Sequence, residues 1–101
     1  MAFAVILTPQ SRDDLEHIVV FIARHNAERA RSFGHELVDR ALALSAFPES
    51  GRVVPEIGEQ AVREVIHGPY RIIYEIFHDP DAIYILRFWH GARGVPKLET
   101  R

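Results

Sequence analysis

Apolar residues along the first half of the chain follow two periods. Residues 3–7 are a continuous apolar run of β-forming residues that ends at Thr8-Pro9, a pair that can cap and begin a helix. Apolar positions then recur every three or four residues to about residue 24, and again over residues 27–47. The pattern predicts a strand followed by two helices in a hairpin. Gly34, inside the second helix, indicates close approach of a neighbouring element.

The second half contains three strand-like segments. They cover residues 61–67, 70–77 and 83–89, and strong turn signals lie between them at residues 68–69 and 78–82. Residues 48–60 contain prolines and glycines and predict an ordered loop. The predicted order is β-α-α-β-β-β, an α+β fold in which an N-terminal strand and a helical hairpin precede a three-stranded antiparallel meander, with the helices on one face of the sheet. We expect a single domain over residues 1–101.

The lengths of the two turns decide which side chains share a face of the sheet. If the first turn has two residues, His67 pairs with Tyr70, and a five-residue second turn pairs Phe77 with Ile83. A four-residue second turn would exchange the faces of the last strand. With five residues, the helices cover Tyr70, Ile72, Tyr74, Ile76, Tyr84, Leu86 and Phe88. The opposite face then exposes more apolar area than a monomer usually leaves wet, on Val62, Ile66, Ile73, Phe77, Ile83, Ile85 and Trp89, beside the charged Glu64, Arg71, Glu75 and Arg87.

Composition and charge exclude several classes of function. The 101-residue chain has 12 Lys and Arg against 14 Asp and Glu, a formal net charge of −2, so no overall field favours nucleic acid or an anionic membrane. It has no cysteine, which excludes thiolate catalysis and cysteine-bound zinc, and it lacks the histidine spacings typical of metal sites. The N-terminal apolar run is too short for a signal peptide or a membrane span. We therefore expect a cytoplasmic protein with no metal, no cofactor and no membrane partner.

Arginine, aromatic and histidine residues of the second half are the candidates for chemistry. Arginines are interleaved there with tyrosines and Trp89, which favours either binding of phosphates and stacked bases or pairing with nearby carboxylates on a solvated face. His67, His78 and His90 lie near predicted strand ends. A histidine beside arginines could transfer a proton in RNA cleavage, or it could form structural hydrogen bonds.

Five short motifs occur in order along the chain. They are Thr8-Pro9-Gln10, Pro48-Glu49-Ser50-Gly51-Arg52, Arg63-Glu64, Tyr70-Arg71-Ile72-Ile73-Tyr74 and His90-Gly91-Ala92-Arg93. Together with the predicted order of elements, they resemble the RelE/ParE superfamily of type II toxins over nearly the whole chain. The resemblance implies a small toxin encoded beside an antitoxin, whose C-terminal segment folds across the toxin and holds it inactive. A toxin-antitoxin hetero-oligomer is the assembly that this implies.

The superfamily divides by target. RelE-like members cut messenger RNA in the ribosomal A site, whereas ParE-like members inhibit DNA gyrase. This chain has no lysine in a predicted helix or strand, and Gly91 follows His90 where related nucleases have a tyrosine. Both features favour the ParE-like branch. A ribosome-dependent endoribonuclease is the alternative, and a non-toxic binding module of the same fold is the second alternative.

The resemblance and the predicted faces together give candidate sites. In the nuclease alternative the catalytic set is Glu64, Arg71 and His90, although the predicted register separates Arg71 from His90. In the gyrase-inhibitor interpretation no residue is catalytic, and the segment after the last strand binds the target. The residues expected to contact it are His90, Gly91 and Arg93. The open sheet face is the expected antitoxin-binding surface, through Ile73, Ile85, Arg87 and Trp89.

Overall fold

A five-stranded sheet packs against two helices in the computed structural model, which describes residues 2–98. The strands are β1 (Ala4–Leu7), β2 (Arg52–Val53), β3 (Val62–His67), β4 (Tyr70–Phe77) and β5 (Ala82–His90), and the helices are α1 (Pro9–Ala23) and α2 (Ala27–Leu42). The strand order is β1-β5-β4-β3-β2. The predicted α+β class and the order of its elements are confirmed. Two details differ: β1 pairs with β5 in parallel, so the sheet is mixed, and the predicted loop contains the short strand β2.

Both helices begin where the sequence places a cap. The Thr8 hydroxyl accepts a hydrogen bond from the Ser11 amide at 3.1 Å, and the Asn26 side chain accepts one from the Arg29 amide at 2.9 Å. A Cβ atom at Gly34 would lie 2.9 Å from Val19 Cγ2, so the missing side chain lets α2 approach α1 closely, as predicted. The second helix ends at Leu42, earlier than expected, and 3-10 turns follow at Ala43–Ser45 and Pro48–Ser50. No helix within residues 2–98 is long and apolar enough to cross a membrane.

The register of β4 against β5 differs from the prediction in the first half of β5 and agrees with it in the second half. The first turn has two residues, so His67 pairs with Tyr70 as expected. The second turn has four residues, so Phe77 pairs with Ala82 instead of Ile83. A bulge then adds one residue to β5, because Tyr74 pairs with Ile85 while Ile73 pairs with Arg87. A four-residue turn and a one-residue bulge together give the same register beyond the bulge as a five-residue turn.

The bulge decides which side chains of β5 lie under the helices. Before it, Ile83 and Ile85 lie in the helix-side core, so their predicted placement on the open face is wrong. Tyr84 and Leu86, predicted to lie under the helices, are on the opposite side of the strand. After the bulge, Phe88 is in the helix-side core and Trp89 is on the open face, as predicted.

The open face is partly covered by the chain itself. Ile73 and Trp89 are buried in a second apolar cluster with Val54 and Val62, and the side chains that pack against this cluster are Ile57, Leu86 and Leu98. The cover therefore comes from the loop after β2 and from the segment after β5. The excess apolar area predicted for this face is thus covered at its Trp89 end by the chain itself. At the other end, Phe77 and Tyr84 stay exposed.

A buried ion pair joins α1 to the edge of β5. Asp14 accepts hydrogen bonds from Arg87 Nε and Nη2, each at 2.7 Å, and from the backbone amide of Phe88 at 3.1 Å. Arg87 Nη1 also donates to the Lys97 carbonyl at 2.7 Å, which holds the C-terminal segment to the same pair. The pairing of β1 with β5 ends at Ile85, so β1 offers no acceptor to the Phe88 amide. The Asp14 carboxylate is the acceptor for that amide instead.

Asp14→Asn should lower the free energy of unfolding by about 3 kcal/mol, because it removes the charged partner that accepts two hydrogen bonds from the buried Arg87. Urea denaturation of the purified chain measures the change. Asp13→Asn is the matched control: its carboxyl is 66% exposed, against 10% for Asp14, so a change within about 0.5 kcal/mol is expected. Equal effects of the two substitutions would show that the buried pair contributes no more to the free energy of unfolding than an exposed carboxylate does.

Candidate functional site

Glu64 lies at the centre of an ion-pair network on the open face. Its side chain is fully buried, and it accepts hydrogen bonds from Arg71 Nε and from Arg52 Nε, the second at 2.7 Å. Arg71 in turn donates to both carboxylate oxygens of Glu56, from Nη1 at 2.9 Å and from Nη2 at 2.7 Å. The network contains two arginines and two glutamates. Its members therefore neutralise one another.

The network holds Arg71 strongly. The hydrogen bonds that Glu56 accepts from the Arg71 guanidinium lower the pKa of Glu56 to about 2, and the bonds that Arg71 donates to Glu56 and Glu64 raise the pKa of Arg71. Nε, Nη1 and Nη2 of Arg71 each donate to a carboxylate. A phosphate could reach this guanidinium only after a carboxylate has been displaced, because the directions that suit a bidentate contact are occupied.

His90 lies away from this network. It pairs with Tyr70 across the sheet, and the two rings meet edge to face with centroids 5.1 Å apart. Arg71 pairs instead with Trp89, so the Arg71 and His90 side chains leave the sheet on opposite faces. The structure therefore brings Glu64 and Arg71 together and leaves His90 out of the nuclease set that the sequence suggested.

The segment expected to bind the target forms a 3-10 turn at Gly91–Arg93. The Gly91 amide donates to the Pro69 carbonyl at 2.8 Å, and the Ala92 amide donates to His90 Nδ1 at 3.1 Å. The guanidinium of Arg93 lies 3.9 Å from the centre of the Trp89 ring. The structure thus places His90, Gly91 and Arg93 side by side on one ordered turn.

The four residues expected to bind antitoxin lie in different environments. Ile73 and Trp89 are fully buried beneath the chain's own loop and C-terminal segment. Arg87 is buried and bonded to Asp14, and it lies 4.9 Å from the Trp89 ring centre. Ile85 is in the helix-side core, so it does not share a surface with the other three.

The exposed end of the open face forms a largely apolar groove of about 670 Å³, here called the sheet groove. Phe77 and Tyr84 line it, and their rings meet edge to face with centroids 5.2 Å apart. Thr8 and Pro9 form one wall, and the turn between β4 and β5 forms another. This groove is one of the parts of the open face that residues 2–98 leave uncovered, and the exposed Ile66 lies on the same face outside it.

Asp14 and Glu56 belong to ion pairs that the sequence argument did not predict. Asp14 shares a helix face with the buried Ser11 and Ile18, and that spacing is a detectable signal. Glu56 lies in a loop fifteen positions before its partner Arg71, and no local pattern links them. Among residues 2–98, no three histidine or carboxylate side chains lie together as a metal site would require.

Comparison with known proteins identifies the family. The model of the family described as "ParE toxin of type II toxin-antitoxin system, parDE" matches residues 5–95. A chain in the structure of the chromosomal ParDE TA system from P. aeruginosa is 18% identical, with a TM-score of 0.70 over 88% of this chain and 96% of that one. The RelBE2 toxin-antitoxin complex from Mycobacterium tuberculosis contains a chain that is 22% identical, with a TM-score of 0.67 over 89% of this chain and 99% of that one.

No curated protein matches the sequence significantly. The two solved structures share the fold, which agrees with the resemblance drawn from the five motifs. The family match covers the helical hairpin, the whole meander and the turn at Gly91–Arg93. This chain therefore belongs to the ParE toxin family of type II toxin-antitoxin systems.

Proposed function

We propose that this toxin inhibits DNA gyrase by binding to it, and that a cognate antitoxin holds it inactive. The observation that carries the proposal is the separation of the nuclease set: Arg71 is bonded to two carboxylates through Nε, Nη1 and Nη2, and His90 lies on the other face of the sheet. Membership of the ParE family supports gyrase as the target.

Cleavage of RNA without a metal requires a proton-transfer group and a cation at the same phosphate. Arg71 does not meet His90, because the two side chains leave the sheet on opposite faces, and its Nε, Nη1 and Nη2 groups each donate to Glu56 or Glu64. Lys97, which is the chain's lysine, lies in the C-terminal segment with its backbone carbonyl bonded to Arg87. These contacts favour inhibition through a binding surface over chemistry at an active site.

The turn at Gly91–Arg93 is the proposed contact with gyrase. It is exposed and held in one conformation by the hydrogen bond from Gly91 to Pro69. The same segment cannot simply be deleted to test this role. Leu98 packs on the Trp89 cluster, and Trp89 Nε1 donates to the Gly94 carbonyl at 3.1 Å, so truncation after Trp89 would expose the cluster. Point substitutions give a cleaner test.

The proposed antitoxin surface includes the sheet groove. Roles for Ile73, Ile85, Arg87 and Trp89 in antitoxin binding stay predictions, and all four are buried in the structure. Phe77 and Tyr84 are 41% and 37% exposed, and they present apolar area that a partner segment could bury. The similar mycobacterial structure is a toxin-antitoxin complex, which supports a protein partner here.

The purified full-length chain should inhibit supercoiling by gyrase and leave messenger RNA on translating ribosomes intact. Agarose-gel supercoiling assays and primer extension on a cell-free translation reaction measure the two activities. Cleavage at A-site codons with normal supercoiling would overturn the proposal in favour of the endoribonuclease. Absence of both activities would overturn it in favour of the non-toxic binding module.

The double substitution Glu56→Gln with Arg71→Gln should leave gyrase inhibition within about threefold of wild type, because neither residue belongs to the proposed contact turn. Glu64 keeps its bonds from Arg52 in this variant, so the buried carboxylate stays paired. A nuclease that depended on Arg71 would lose about a hundredfold or more in cleavage rate. Thermal denaturation confirms that the variant is folded, and loss of inhibition by a folded variant would contradict the proposal.

Tyr84→Ala should weaken binding of the cognate antitoxin by about 2 kcal/mol, or about 30-fold, as expected for an aromatic anchor at the centre of an interface. Isothermal titration calorimetry of the separated toxin and antitoxin measures the affinity. Ile66→Ala is the matched control, since Ile66 is also exposed on the open face but lies outside the sheet groove. Equal losses for the two variants would remove the sheet groove from the antitoxin interface.

A further inference from the structure

A second groove, of about 420 Å³, lies between α1 and the end of β5 and is here called the terminal groove. His17 and Phe21 of α1 line one side, and Tyr70, His90 and Arg93 line the other. Its floor contains Phe88 and the Asp14–Arg87 pair. The terminal groove therefore includes two of the three residues of the proposed gyrase contact.

Arg93 is the prominent unsatisfied cation of this groove. The described part of the chain, residues 2–98, gives its guanidinium no hydrogen bond and no ion pair, and its face rests 3.9 Å from the centre of the Trp89 ring. Stacking on a buried ring uses the face of a guanidinium and leaves its N–H groups around the edge. The side chain is thereby held in place before a ligand arrives, which reduces the entropy lost on binding.

His90 supplies a second donor beside Arg93. Its Nδ1 accepts a hydrogen bond from the Ala92 amide, so the neutral ring carries its proton on Nε2. The ring packs edge to face against Tyr70, which limits its rotation. Tyr70 lines the same side of the groove, and burial raises the pKa of its hydroxyl.

The opposite side of the groove is apolar at Phe21, which is 58% exposed. Of the two acidic side chains that line the groove, Asp14 is neutralised by Arg87, and the exposed Asp13 carboxylate lies 3.6 Å from His17 Nδ1. The groove thus combines a set of donors around Arg93 with an apolar surface at Phe21.

We propose that the terminal groove recognises an acidic side chain of the target protein together with an adjacent apolar side chain. The carboxylate bonds to Arg93 and His90, and the apolar neighbour packs on Phe21. This inference rests on the proposed function, because it specifies the chemistry of the same gyrase contact. A protein carboxylate is favoured over a nucleic-acid phosphate, since the groove offers one free cation among its lining residues and an apolar surface beside it.

The test uses the ¹⁵N-labelled full chain and two capped dipeptides, N-acetyl-Leu-Glu-amide and N-acetyl-Leu-Gln-amide. The Glu peptide should shift the backbone amides of Phe21, His90 and Arg93, and it should bind about tenfold more tightly than the Gln peptide, because a charged acceptor strengthens the hydrogen bonds. Arg93→Gln should remove this tenfold preference. Arg31→Gln, which neutralises an exposed arginine of α2, should retain it.

Gyrase inhibition by the same variants separates this inference from the proposed function. Arg93→Gln should weaken inhibition by about tenfold and Arg31→Gln should not, with unchanged amide shifts outside the groove as the folding control. Equal binding of the two peptides, or tighter binding of a dinucleotide than of the Glu peptide, would overturn the inference even if wild type inhibits gyrase. Recognition of the Glu peptide without gyrase inhibition would instead contradict the proposed function and would still support carboxylate binding in the terminal groove.

Discussion

The ion pair between Asp14 and Arg87 holds three parts of the molecule together. It fixes α1 against the edge of β5, satisfies the Phe88 amide beyond the end of β1, and binds the C-terminal segment through the Lys97 carbonyl. Taking two charges out of water costs free energy, and the attraction within the pair offsets that cost only when additional hydrogen bonds satisfy the remaining polar atoms. The same pair lines the terminal groove beside His90 and Arg93, so it also forms part of the surface proposed to bind the target.

The bulge in β5 is the second constraint, because it divides the open face into two ends. Beyond the bulge Trp89 faces the chain's own loop and C-terminal segment, which bury it. Before the bulge Tyr84 faces the sheet groove, where nothing in residues 2–98 covers it fully. One extra residue in a strand therefore separates a closed apolar cluster from an apolar surface that is available to a partner.

Local patterns in the sequence were enough to predict most of the fold. Periodicity and caps located α1, and the turn at Gly68-Pro69 fixed the pairing of His67 with Tyr70, because these features depend on neighbours along the chain. The placement of Ile85 failed because a bulge leaves no signal in the spacing of apolar residues. The partners of Asp14 and Glu56 could not be predicted either, since Asp14 lies 73 residues from Arg87 and the loop that carries Glu56 has no repeating pattern.

The chain has a single tryptophan, and it lies where the sheet, the loop and the C-terminal segment meet. Trp89 is nearly inaccessible to solvent, two guanidinium groups lie near its ring, and its indole N–H is bonded to Gly94. The fluorescence spectrum of an indole in such surroundings depends on how well solvent is excluded from the ring and on the charges beside it. The protein thus contains its own optical probe, and its emission reports whether the C-terminal segment stays on the sheet when a partner binds.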